Sequence, residues 1–243
     1  MLEIKSLYKR FDTKKIIHNL DLTIDKAQRC TIIGPSGSGK STILKLIVGI
    51  LKPDKGQILI DGTDITTLNI NDLNEVRRHV GLLFQSAALF DSMTVFENIA
   101  FPLVEQKNLM TPYRIKQKIR SVLEMVEMVG HEDKFPEELS GGQRKRIGLA
   151  RVLVTDPSFI LYDEPTTGMD PILSTNIENL INKLSQELNV TSVIVTHQLS
   201  TIFRTSDQIH YLSNGALLDS ESPALIRESK NDIIRNFIKG GLS

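Results

Sequence analysis

Gly34-Pro35-Ser36-Gly37-Ser38-Gly39-Lys40-Ser41 decides the fold. The apolar run Cys30–Ile33 precedes it, and an apolar-faced helix is expected after it, from Ser41 to about Ile50. G-x-x-x-x-G-K-[ST] between a strand and a helix is a pattern that wraps phosphates. Glycines let the backbone curl until several N–H groups point at one anion. The helix N-terminus adds partial positive charge. In this reading Gly34, Pro35, Ser36, Gly37, Ser38 and Gly39 form the cradle. Lys40 reaches the β- and γ-phosphates, the Ser41 hydroxyl ligates Mg²⁺, and Thr42 helps hold the α-phosphate region. An incidental glycine-rich turn would have to match every required position in the right strand–turn–helix setting.

Alone, the loop says P-loop NTPase and no more, because kinases, GTPases, helicases and transporters share it. A second feature lies downstream. Phe159-Ile160-Leu161-Tyr162 is an apolar run that ends in Asp163 and Glu164. A buried parallel strand delivers its last residues to the crevice where ligands sit. There Asp163 can hold Mg²⁺ through its water shell, and Glu164 can orient and polarise an attacking water. Phosphoryl transfer asks for little beyond such positioning and charge neutralisation. Without the upstream loop, a solvent-facing charge pair would be the better reading.

The rest of the chain fits one large α/β domain of 243 residues. Short strands with alternating apolar residues are expected at the start (Leu2, Ile4; Leu20, Leu22, Ile24), then strands at Gln57–Ile60 and Val80–Phe84. From 86 to 155 the patterns are helical. Thr94 with Glu97, and Ser140 with Gln143, read as capping boxes, and Thr111-Pro112 as an N-cap and first helical residue. Asp170-Pro171 opens another helix, Thr191–Val195 is a buried strand, and Asn214-Gly215 turns a hairpin. The end is expected to be helical from Ser222 to Lys239 and frayed at 240–243. Strands alternating with helices imply a mostly parallel sheet covered on both faces.

Composition removes other classes. Lys and Arg number 29 against 29 Asp and Glu, so no basic excess points to nucleic acid. The lone Cys30 can form no internal disulfide and is expected to be a buried strand residue. No run approaches the ~20 apolar residues that cross a bilayer, so any membrane role has to come through a partner.

Leu139-Ser140-Gly141-Gly142-Gln143 narrows the class. Ser140 is a helix N-cap, and Gly141 and Gly142 expose N–H groups at a positive helix end, a second anion site. The segment is identical to the signature of ABC ATPases, and the chain resembles that family over about residues 2–238. The resemblance implies a P-loop NTPase fold of α/β class. A RecA-like core, 1–85 and 156–220, carries an N-terminal antiparallel β subdomain, an inserted helical subdomain at 86–155 and a C-terminal helical segment at 221–243. It implies ATP and Mg²⁺, and a homodimer in which Ser140, Gly141, Gly142 and Gln143 of one subunit meet the γ-phosphate held by the other. It also assigns roles residue by residue: Gln85 to contact Mg²⁺ and water, His197 to touch the γ-phosphate, Phe11 to stack on adenine, Asp170 to couple the two sites. A Phe at position 11 could equally be core. The chain departs from the family at Thr167-Gly168-Met169-Asp170, where Ser-Ala-Leu-Asp is frequent, and at Tyr162, where an aliphatic residue is commoner.

The segment from Phe84 to Leu103, with Leu161 to Pro171, resembles the ATPases of Mla/Mce-type phospholipid transporters. That implies a separate permease, an Mce-domain substrate-binding partner, and a place on the cytoplasmic face of the inner (plasma) membrane, peripheral through the permease. Leu89, Phe90, Val95 and Phe96 could form a docking groove for a partner helix, or subdomain core. The alternatives are an ATPase of a small-solute importer and a soluble ABC ATPase outside transport. A catalytically dead regulator is disfavoured because Lys40, Asp163, Glu164 and His197 are all present.

Overall fold

The first two strands are longer than their sequence suggests. In the computed structural model, which describes residues 1–105 and 110–240, β1 (Leu2–Phe11) and β2 (Lys14–Ile24) pair antiparallel along most of their length. Alternation works as expected for Leu2 and Ile4 and for Leu20, Leu22 and Ile24, all buried; a register shift at Ser6 (φ 47°) then buries Leu7 instead of residue 6. β1 also pairs with β4 (Lys55–Ile60), and β4 with the two-residue β5 (Thr63–Asp64), completing an antiparallel sheet.

The second sheet has the order β10-β9-β3-β8-β7-β6. Its members are β3 (Arg29–Ile33), β6 (Val80–Leu83), β7 (Phe159–Asp163), β8 (Thr191–Val195), β9 (Gln208–Ser213) and β10 (Ala216–Glu221). All neighbours are parallel except the β9–β10 hairpin at the edge. Its strands alternate between two cores. Phe159 and Leu161 face the antiparallel sheet and helix α1 (Lys40–Ile47), whereas Ile160 and Tyr162 face helices α3 (Val95–Glu105), α4 (Pro112–Met125), α5 (Gly141–Leu153) and α6 (Pro171–Leu188). Burial on both faces is why these strands read as continuous apolar runs. Cys30 is fully buried in the first of these cores.

Local signals set most helix starts. Thr94 and Glu97 exchange hydrogen bonds at the head of α3, and Thr111 caps α4 with Pro112 in the first turn. Three expectations need correcting. Helix α1 stops at Ile47 rather than Ile50, because Gly49 takes a left-handed conformation (φ 70°) that ends the helix. Helices α2 (Ile70–Arg77) and α7 (Leu199–Thr205) were not anticipated. For α2 the signal existed: the Asn69 side chain accepts from the N–H groups of Asn71 and Asp72. The C-terminal stretch is not one helix. β10 runs to Glu221, a 3₁₀ turn covers Ile226–Glu228, and α8 spans Asp232–Gly240. Ser229 Oγ accepts from Asn231 N and Asn231 Oδ1 from Ile233 N, side-chain bonds that compete with helix upstream. Helix α8 packs on its own chain, with Ile234 and Ile238 against Ile202, Ile209 and Tyr211. Of the fraying expected at 240–243, Gly240 is instead the last residue of α8, and 241–243 lie outside the described residues. No described helix is long and apolar enough to cross a membrane.

Candidate functional site

β3, β8 and β7 are neighbours, and their last residues come level: Ile32 pairs with Val195, and Asp163 with Val195. Three loops therefore open on one edge of the sheet, where parallel sheets place ligands. They are the loop Gly34–Gly39, the turn after Asp163, and Thr196-His197.

The phosphate loop needs glycine for steric reasons at two points. A Cβ on Gly34 would sit 2.6 Å from the Leu212 carbonyl oxygen, and one on Gly39 2.8 Å from Ile16 Cγ2. Gly39 is also left-handed (φ 106°) and caps α1 without any side-chain bond. The early N–H groups of α1 thus have no side-chain competitor. Lys40 is buried (6% exposed) and donates to the Gly34 and Pro35 carbonyls at 2.9 and 3.1 Å. Burial pulls its ammonium below the usual lysine range, and the charges of Glu164 and Asp163 oppose that. Ser38 Oγ is buried in this loop without a hydrogen-bond partner, a polar atom that a bound phosphate would satisfy.

Opposite stands the acidic pair. Ser41 Oγ donates to Asp163 Oδ1 at 2.7 Å, so a hydroxyl and a carboxylate meet where Mg²⁺ would need oxygen ligands. Glu164 adopts φ 48°, uncommon for a residue with a side chain and worth about 1–3 kcal/mol of local strain. Its N–H bonds to the Val195 carbonyl at 2.9 Å, which fixes the turn. The carboxylate is fully engaged. Oε1 lies 2.8 Å from His197 Nδ1 and 3.9 Å from Lys40 Nζ, while Oε2 accepts from Thr167 Oγ1 at 3.0 Å and Thr196 Oγ1 at 3.1 Å.

Ser36, Gly37, Gly39, Lys40, Ser41, Thr42, Gln85, Glu164 and His197 line one cleft of about 290 Å³, together with Ile16. Pro35 and Ser38 line an adjoining cavity of about 400 Å³ against Lys14–Ile16 and Leu212–Gly215. Gly34 and Asp163 stand behind these linings, bonded to Lys40 and Ser41; Phe11, Ser140, Gly141, Gly142, Gln143 and Asp170 lie elsewhere. Phe11, 43% exposed as a residue, ends β1 with the Lys9 ammonium 5.6 Å from its ring centroid; it lines neither cavity. Ser140 caps α5, Gln143 returns the bond to Ser140 N at 2.9 Å, and the Gln143 amide lies 3.3 Å from His131 Nε2. Asp170 caps α6 through the N–H groups of Ile172 and Leu173. None of Ser140, Gly141, Gly142, Gln143 or Asp170 lines the cleft of their own chain.

Two residues of the neighbourhood went unnoticed in the sequence. Ile16 packs over Gly39 and forms a wall of both cavities. Lys145 is buried in α5, and its ammonium donates to the carbonyls of Phe84 and Glu164 at 3.3 and 3.4 Å. Burial brings it down to about 8, against the pull of Asp163 and Glu164. It ties the entry of the Gln85 loop to the turn that carries Glu164. A lysine two residues beyond a capping box gives no sign of this. The apolar segment near Gln85 is divided too. Val95 is core, Leu89 and Phe96 pack against core, and only Phe90 is substantially exposed, with its ring 4.8 Å from Phe101.

The comparisons agree with this geometry. Residues 17–167 match the ABC transporter family. The intermembrane phospholipid transport ATP-binding protein MlaF of Haemophilus influenzae is 39% identical over 99% of this chain and 90% of its own. The Fe(3+) ions import ATP-binding protein FbpC of Escherichia coli O157:H7 is 37% identical over 98% of this chain, which spans 66% of its length. The dimeric ATP-binding cassette MJ0796, in a post-hydrolysis state bound to ADP and Pi, superposes with a TM-score of 0.84 at 31% identity, covering 92% of this chain and 99% of that one. The chain belongs to the ABC transporter family, as one of its ATP-binding subunits that hydrolyse ATP with Mg²⁺.

Proposed function

We propose that Glu164 is the base of this ATPase and that the bond between its Oε1 and His197 Nδ1 poises it. The observation behind this is that carboxylate: strained in backbone, held by three side chains, and lining the same cleft as Lys40, whose ammonium is 3.9 Å away. Lys40 gives up its two carbonyl partners to neutralise phosphate charge. Ser41 and Asp163, with Gln85, would hold Mg²⁺, which when bound would supply neutralising charge to the phosphates. Glu164 accepts a proton from the attacking water, and His197 steadies the carboxylate and the leaving charge. Phe11, exposed at the end of β1, offers adenine an aromatic face. The catalytic core, the helical part at 86–155 and the C-terminal part at 221–240 act as one domain in this scheme.

Ser140, Gly141, Gly142, Gln143 and Asp170 complete the site of a second copy. They sit outside their own cleft, and the cassette MJ0796 is described as dimeric with nucleotide. A separate permease receives the work. Phe90, exposed beside the Gln85 loop, is the residue of the expected groove best placed to meet it. The cargo we infer is phospholipid moved between membranes, with an Mce-domain partner and the chain on the cytoplasmic face of the inner membrane. The match to MlaF over nearly its whole length supports this, and so does the resemblance of Phe84–Leu103. The deciding experiment is a pull-down of the tagged chain from gently solubilised membranes, with proteins and lipids identified by mass spectrometry. A polytopic permease, an Mce-domain protein and enriched phospholipid are expected. A permease with a soluble-solute or iron receptor would keep the ATPase and replace the cargo.

A further inference from the structure

Behind the His197 loop lies a buried carboxyl group that hydrolysis does not use. Glu178 sits in α6, 0% exposed. Its Oε1 accepts from Ser200 Oγ at 3.0 Å and Thr201 Oγ1 at 2.8 Å, both in the first turn of α7. Thr201 Oγ1 lies 2.7 Å from Thr166 Oγ1, and Thr166 Oγ1 lies 2.6 Å from the Gln198 side-chain amide. Arg204 Nε stands 3.3 Å from Oε2, on the solvent side. Two threonine protons serve three contacts here. As placed, Thr166 Oγ1 donates to Gln198 Oε1; turning the Gln198 amide so that its nitrogen faces Thr166 would supply the third proton.

The position of this chain of bonds gives it meaning. Thr166 stands two residues after Glu164. Gln198 follows His197 and caps α7, and Thr196, on the other side of His197, bonds to Glu164 and to Gln198 N. Glu178 is two turns along the helix that Asp170 caps. One rigid element thus begins at Asp170 and, through Glu178, grips the loop that carries His197. A buried charge of this kind is costly where apolar packing would serve, and its best-attested use is to fix one arrangement.

We propose that Glu178, acting through Thr201 and Thr166, is a positioning residue that holds His197 against Glu164 and links its placement to the start of α6. The inference rests on His197 acting in hydrolysis as proposed above. Misplacing a reacting group by about an ångström costs up to roughly 100-fold in rate. For the full chain, Thr201→Val and Glu178→Leu should each lower kcat about 10-fold, with KM for ATP within about twofold of wild type, as expected for a loss of geometry rather than binding. Thr201→Ser, which keeps the hydroxyl, should restore kcat. The double variant should lose no more than either single one, because one chain of bonds is cut. His197→Ala is run beside them. Unchanged kcat in folded Thr201→Val and Glu178→Leu proteins would overturn the inference. So would a kcat loss that follows melting temperature and is not rescued by serine. If His197→Ala itself leaves turnover intact, the catalytic reading fails first, and there is nothing for Glu178 to position.

Discussion

Helices α1 and α5 both start beside glycines, Gly39 as the cap of α1 and Gly141 as the first residue of α5, yet they treat their first N–H groups in opposite ways. Gly39 caps α1 in a left-handed conformation with no side chain to occupy the helix end. Ser140 and Gln143 close the end of α5 on themselves, each bonding the other's backbone N–H. Helix α6 repeats the closed pattern with Asp170. Around the open end stand a buried lysine, a hydroxyl and two carboxylates. Beside the closed end of α5 the Gln143 amide meets His131, and Arg144 turns back to the Leu139 carbonyl. An open helix end flanked by a cation is an anion site in its own right. A self-capped end is first of all a well-made helix terminus, and on our reading it needs the nucleotide of another copy to serve as anything more.

The sharpest attempt to break this contrast removes the chemistry from the open end. Glu164→Gln should cut kcat about 10²- to 10⁴-fold, the usual range for a lost general base. MgATP binding should persist, and an ATP-bound dimer should appear on sizing. Hydrolysis at the wild-type rate would sink the base assignment. Next, Ser140→Arg should abolish hydrolysis in a homodimer while leaving nucleotide binding by the single chain intact. In a mixed dimer with wild type, full activity at both sites would show that the closed end does not act in trans. A gentler change isolates the cap itself. Ser140→Ala should cost about 1 kcal/mol of stability, lowering the melting temperature by a few degrees at most, whereas no equivalent side-chain cap exists to delete from α1.

The smallest expected effect lies away from both ends. His210 on β9 is nearly buried, its Nε2 is without a partner, and burial lowers it to about 4. Between about pH 6.5 and 4 the unfolded chain therefore takes up a proton that the folded chain refuses, so His210 makes stability fall as pH drops through that window. His210→Phe should flatten this part of the melting-temperature profile without altering nucleotide binding near neutrality. An unchanged profile would mean that acid sensitivity arises elsewhere.

Short-range chemistry was legible early. The glycine loop, the capping boxes at Thr94 and Ser140, the Asp170 cap and the Asn214-Gly215 turn all depend on bonds or conformations within about four residues, and each is found where it was expected. The Leu139–Gln143 signature was readable because its residue types are few and contiguous. Misreadings arose where local preference was contested. Ser222–Lys239 has a helical composition, but Ser229 and Asn231 bond backbone groups that a longer helix would need. Val95 looked as available as Phe90 because sequence does not show which side of a helix faces core; it is fully buried, and Phe90 is not.

The sequence by itself determined the class of chemistry: a loop that wraps phosphate, a strand that ends in two carboxylates, and a signature that belongs to one family. It could do so because each of these is a contiguous run whose geometry follows from its own backbone. Only the tertiary structure decided that Glu164 meets His197 and Thr196, that Lys145 bridges two loops, and that Glu178 grips α7 from behind. Those contacts join residues far apart in the chain. They exist because parallel pairing of β3, β8 and β7 brings three strand ends level, and that register is a property of the whole sheet rather than of any segment within it.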